Sequence, residues 1–230
     1  MSQSIRMKHD ATVSRRSLLA GLVGVTALSV AGCQSVPEPT VTAPPEDYDD
    51  SWYIGSIPDQ PFDIPLVDRT RMKPELMRQT VPYSGGEKAG TIVVNIDERF
   101  LYFVQSDNTA LRYGIGVGRQ GFSWRGIAEV GRKGVWPEWR PTSTMKRVLK
   151  GLPEHMAGGV DSPLGARALY LYQNGHDILF RIHGTNEPWS IGEQVSSGCV
   201  RMLNEDIFDL YNRVKTGTVV KVRKGGGWFN

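Results

Sequence analysis

Two short runs, residues 91–96 (TIVVNI) and 100–105 (FLYFVQ), lie three residues apart and constrain this chain more than any other feature. Both are dense in β-branched and aromatic residues, and Asp97, Glu98 and Arg99 between them are polar, so the pair reads as an antiparallel hairpin. Residues 111–117, 168–172, 177–182 and 218–222 have the same character, which predicts a mainly β domain of short strands. One helix is predicted near the C-terminal end. Asn204 caps it, Glu205 and Asp206 suit its positive N-terminus, and Ile207, Leu210, Tyr211 and Val214 recur at helical spacing. Between residues 118 and 162 the sequence reads as a long irregular insertion, with Trp136, Trp139, Pro141 and paired Gly158 and Gly159. Loops of that length usually serve as lids or binding loops.

The flanking segments differ in chemistry. Residues 1–33 carry Arg6, Lys8, Arg15 and Arg16 against Asp10, then an apolar stretch from 18 to 32, the layout of a signal peptide. That stretch is fifteen residues, short of the roughly 18 that a spanning helix needs. Paired Arg15 and Arg16 ahead of it resemble a twin-arginine export signal. Val30, Ala31, Gly32 and Cys33 resemble a bacterial lipobox, so lipid attachment at Cys33 is expected, on a periplasmic protein. Gln34 gives no inner-membrane retention signal and leans the expectation toward the outer membrane. Residues 34–68 hold seven prolines, eight acids and no Lys or Arg, and read as a disordered tether. Residues 69–89 are then an N-terminal extension, 90–224 the main domain and 225–230 a tail. From residue 69 onward 23 basic residues face 15 acidic ones, a net charge of plus eight. No basic run interleaves with aromatics, and an exported chain meets no nucleic acid routinely, so an anionic cell-wall polymer suits this charge better than nucleic acid does, scattered surface charge being the commoner cause of such a balance.

With Cys33 consumed by lipid, Cys199 is the free thiol. It follows Ser196, Ser197 and Gly198, precedes Val200 and Arg201, and stands sixteen residues after His183. A thiol is mostly protonated at neutral pH, so a cysteine nucleophile needs an imidazole or another positive group beside it. His183 closes a predicted strand and Cys199 follows a loop, which allows both to face one pocket. Small residues before the cysteine leave backbone amides open to an oxyanion, and Arg201 is placed to hold a substrate carboxylate. A buried structural cysteine and a core histidine would show the same spacing.

The whole string, residues 183–186 (HGTN) followed by 196–202 (SSGCVRM), closely resembles the active-site signature of the L,D-transpeptidase catalytic domain, the YkuD type. The resemblance covers roughly residues 90–222 and implies a β-sandwich with a lid insertion and one or two short helices, needing no metal or organic cofactor. It implies Cys199 as nucleophile, His183 as proton acceptor and donor, the Gly184 carbonyl as the group orienting the ring, and the Gly198 amide with Ser197 at the oxyanion hole. Arg201 would bind the donor. The implied reaction is attack of Cys199 on the L-centre diaminopimelate carbonyl of a tetrapeptide stem, loss of D-alanine, and transfer of the acyl group to an amine. That amine belongs either to a second stem, giving a 3-3 crosslink, or to an envelope protein. An L,D-carboxypeptidase and a non-catalytic peptidoglycan-binding lipoprotein are the alternatives.

Asn186, Trp136, Trp139 and Tyr170 are further candidates for contact with substrate, the alternative for Trp136, Trp139 and Tyr170 being that they pack the insertion onto the sandwich. His155 and His176 lack metal-ligand spacing. A sortase places its His farther upstream, and papain-like hydrolases place Cys before His, so the order here disfavours both. A monomer is expected.

Overall fold

The computed structural model describes residues 46–118, 124–148, 151–194 and 198–223. The export segment, Cys33, Ser197 and the tail lie outside them. Twelve strands and two helices run in the order β1 Tyr53–Ile57, β2 Ile64–Val67, β3 Gln79–Pro82, β4 Ile92–Asn95, β5 Phe100–Val104, β6 Thr109–Gly114, β7 Gly116–Val117, β8 Gly126–Val135, α1 Ser143–Val148, β9 Arg167–Gln173, β10 His176–His183, β11 Val200–Arg201, α2 Asn204–Arg213 and β12 Val219–Arg223.

Ten of the strands form one hydrogen-bonded sheet in the order β3-β6-β5-β4-β12-β8-β9-β10-β11-β7. Strands β6 and β7 are separated in the chain by Ile115 alone, yet lie second and last in that order. A flat sheet cannot satisfy this, so the sheet folds over on itself and encloses a core between two layers. Ile92, Val94, Leu101 and Tyr113 from one layer meet Val130, Leu169, Leu171 and Ile182 from the other, all fully buried. Helix α2 adds Ile207 and Leu210 to that core. Burying side chains of this size contributes about 1.5–3 kcal/mol each.

Four readings of the sequence are corrected here. Residues 46–68 are not a tether. They form a short 3-10 turn over Asp50–Trp52 and the β1–β2 hairpin, with Trp52 and Val67 buried against Leu76, Ile191 and Leu203. The acidic composition misleads because these acids have partners elsewhere in the chain: Asp47 pairs with Arg71 at 2.6 Å and Asp59 with Arg167 at 2.7 Å. The insertion is not irregular throughout either, since it contains β8, a strand of ten residues that pairs with both β9 and β12. Finally, Asn204 does not cap α2. Leu203 holds the cap position, and the Asn204 side chain turns inward. The extension over 69–89 is also part of the sheet, because β3 pairs with β6 from Gln79–Pro82.

Candidate active site

Strands β10 and β11 run parallel, with Ile182 opposite Val200 and His183 opposite Arg201. Side chains alternate across a strand. Ile182 and Val200 point into the core at 0% and 1% exposure, so His183, Cys199 and Arg201 share the other face. That face floors a cleft of about 460 Å³, lined among others by His183, Cys199, Arg181, Arg201, Tyr170 and Trp139. The chain enters Cys199 through Gly198 at φ 101, a conformation that side-chain-bearing residues rarely adopt.

His183 is held from several sides. Its carbonyl accepts from Met202 N at 2.9 Å, and the next amide, Gly184 N, donates to Arg167 O at 3.0 Å. Its Nδ1 lies 2.6 Å from the Gly184 carbonyl. A carbonyl can only accept, so Nδ1 carries the hydrogen and Nε2 keeps its lone pair. Burial, helped by the nearby Arg201 charge, pushes the imidazole down to about 3. Burial likewise pushes the Cys199 thiol up, against opposing pulls from the Arg181 backbone amide and the Arg181 and Arg201 charges. Both shifts favour the uncharged forms of thiol and imidazole, in which Nε2 keeps the lone pair that a proton acceptor needs.

The Gly184 carbonyl is itself positioned by Asn204. Its Oδ1 accepts from Ala166 N at 3.0 Å and Thr185 N at 3.2 Å, and its Nδ2 donates to Thr185 O at 2.9 Å. The carboxamide fits between Gly165 and Gly184, where an added Cβ would stand 2.1 and 2.2 Å from Oδ1. Two glycines and one amide thus fix the loop that orients the ring.

The candidate substrate residues separate. Arg201 and Tyr170 line the cleft, as does Trp139, whose backbone bridges to Met156. Arg201 also pairs with Glu187 of the loop joining His183 to Cys199. Trp136 is turned away: it is buried at 5% exposure, its Nε1 donates to Asp59 at 2.8 Å, and its ring meets Phe62 edge-on. Its role is to bind the cleft wall to the N-terminal hairpin, the packing alternative. Asn186 does not line the cleft but donates from Nδ2 to Asp161 O at 3.0 Å. His155 pairs with Glu138 at 2.9 Å.

Sequence reasoning missed Arg132, Arg181, Leu179 and Asn204. Arg132 lies on β8, and without that strand its facing cannot be read. Leu179 lines the cleft 71% exposed at φ 57, held by its amide donating to Asp177 at 2.8 Å in a bulge of β10. The sequence signal for that bulge is slight.

The family model of the L,D-transpeptidase catalytic domain, YkuD, matches residues 89–222. The probable L,D-transpeptidase ErfK/SrfK of Escherichia coli K12 is 37% identical over 140 residues, 57% of this chain and 43% of that protein. The putative L,D-transpeptidase YkuD of Bacillus subtilis is 44% identical over 62 residues, 27% of this chain and 35% of that one. This chain thus spans less than half the length of either relative. A solved structure of a probable carnitine operon oxidoreductase from Brucella melitensis is 45% identical, covering 66% of this chain and 96% of that chain at a TM-score of 0.45. Matched over more than half its length by that family model, with Cys199 and His183 in one cleft, the chain belongs to the YkuD family of L,D-transpeptidase catalytic domains.

Proposed function

We propose that the chain is a peptidoglycan L,D-transpeptidase that acylates Cys199 with a tetrapeptide stem and passes the acyl group to an amine. The observation that carries this reading is the Nδ1 bond of His183 to the Gly184 carbonyl, which leaves Nε2 its lone pair in the same cleft as the Cys199 thiol. In the first step the thiol proton moves to Nε2 as sulfur bonds to the L-centre carbonyl carbon, and the oxyanion is met by the Gly198 and Cys199 amides. The carbon–nitrogen bond to D-alanine then breaks, the amine leaves with the proton from Nε2, and a thioester remains. In the second step an acceptor amine gives a proton to Nε2 and bonds to the carbonyl carbon. Sulfur leaves and is reprotonated. Because burial holds the thiol up, its proton moves during attack rather than beforehand.

A stem amine as acceptor gives a 3-3 crosslink, and a protein amine joins an envelope protein to the wall. The signal-like residues 1–33 and the lipobox-like run ending at Cys33 support an exported chain, anchored by lipid in the periplasm and facing the wall. Incubating the chain with disaccharide-tetrapeptide muropeptides, beside Cys199→Ala, tests the reaction by mass spectrometry. Released D-alanine, a thioester on Cys199 and a dimer are expected from the unaltered protein, and none of these from Cys199→Ala. Tripeptide without dimer would replace transfer with hydrolysis. Absence of any adduct in folded protein would leave a binding module.

A further inference from the structure

Strand register places Arg132 and Arg181 opposite Tyr170 on its two sides, and β10–β11 pairing puts Arg181 level with Cys199. The four residues form one row across the cleft floor. Neighbouring strands lie about 4.8 Å apart, so the Arg132 backbone stands roughly 14 Å from that of Cys199. Its guanidinium returns toward the thiol: Arg132 Cζ lies 3.4 Å from the Tyr170 ring centroid, and Arg181 Cζ lies 4.9 Å from it. Two cations thus share one ring.

The cleft arginines differ in their partners. Arg181 pairs with Asp177 at 2.9 Å, Arg140 with Glu138 at 3.0 Å, and Arg201 with Glu187. Among the described residues no carboxylate pairs with Arg132, which is exposed and held by the ring alone. A stacked guanidinium keeps its planar N–H edge free and loses little entropy on binding, the arrangement best suited to a carboxylate. An anion there also relieves the repulsion between the two cations on Tyr170.

We propose that Arg132, held on Tyr170, is a specificity-determining residue that binds a free carboxylate of the donor stem away from the scissile bond. This rests on the donor being a tetrapeptide stem. Such a stem offers that group in two places, the D-centre of diaminopimelate and the D-glutamate. Both are separated from the attacked carbonyl by several bonds, as Arg132 is separated from Cys199.

The test uses the chain with Cys199→Ala, titrated by calorimetry with three tetrapeptide stems: both carboxylates free, the diaminopimelate carboxylate amidated, and the glutamate carboxylate amidated. One amidation is expected to weaken binding roughly tenfold or more, the scale of a lost charge-assisted hydrogen bond. Adding Arg132→Gln should weaken binding of the free stem by the same factor and abolish discrimination between that amidated stem and the free one. Arg132→Lys should restore part of it. If Arg132→Gln weakens all three stems equally, or none, the assignment is overturned. Turnover by the chain with Cys199 intact is read separately. Carboxylate discrimination without turnover would overturn the acyl-transfer reading and leave Arg132 in place, and turnover without discrimination would do the reverse.

Discussion

Asn204 acts on the chemistry without facing it. Its three hydrogen bonds hold the loop whose carbonyl orients His183, and the glycines on either side leave no room for another side chain. Asn204→Ala strands two buried amides and a carbonyl, so a loss of about 1–3 kcal/mol in stability is expected. A purely structural role would stop there. As a positioning residue it should also lower kcat at least tenfold with KM little changed, as ring misorientation does, and steady-state kinetics on the folded fraction separates the two. Cys199, His183 and Gly184 could be picked out because they occur in short local strings. Asn204 could not, because its partners lie 19 and 38 residues away, and its place ahead of a helical pattern suggested a cap. Trp136 misled in the same way, its partner Asp59 lying 77 residues off.

Among elements, the hairpin over residues 53–67 shows how composition conceals structure. Its Asp59 accepts from Trp136 at 2.8 Å and from both terminal nitrogens of Arg167 at 2.8 and 2.7 Å. Arg167 is 5% exposed, so removing the carboxylate leaves a buried guanidinium unpaired. Asp59→Ala is therefore expected to destabilise the protein by about 3 kcal/mol, read as a lower midpoint in urea. An unchanged midpoint would return this segment to the status of a tether. The strands with dense β-branched runs were evident from sequence, but β8 was not. It alternates exposed Ile127 and Glu129 with buried Ala128 and Val130, contains Gly131 and Gly134, and shifts register between Val130 and Arg132. Each of these weakens a period-two pattern that only the pairing with β9 and β12 restores.

For the whole molecule, buried ionisable groups set opposing responses to pH. Burial raises Glu205 to about 7 and Asp206 to about 6, and neither oxygen of Glu205 has a hydrogen-bond partner among the described residues. Between the unfolded and folded values the native state holds the extra proton, so these groups lose stability as pH rises from about 4 to 7. His183 works oppositely: the unfolded state takes its proton first, and stability falls as pH drops from about 6.5 toward 3. Asp59, chiefly through Arg167, is lowered too, which adds to the loss on the acid side. Maximal stability is thus expected near pH 4, where these opposing slopes cancel, and Glu205→Gln should remove about 3 kcal/mol of the decline between pH 5 and 8 in urea unfolding. An unchanged decline would mean that Glu205 ionises freely.

The return of the sheet upon itself also orders events in time. Strand β11 is two residues long and lies between β10 and β7, and β7 continues from β6 at the far end of the sheet. Its pairing with β7 requires residues 83 positions apart, Val117 and Val200, to meet. Such non-local closures are slow to form, because loop-closure entropy is lost before the contact stabilises the chain. The strand that follows Cys199 is thus held on one side by a partner that only the folded-over sheet supplies, and the proposed acyl transfer would require that closure to be complete. On the proposed function, activity would report a finished fold.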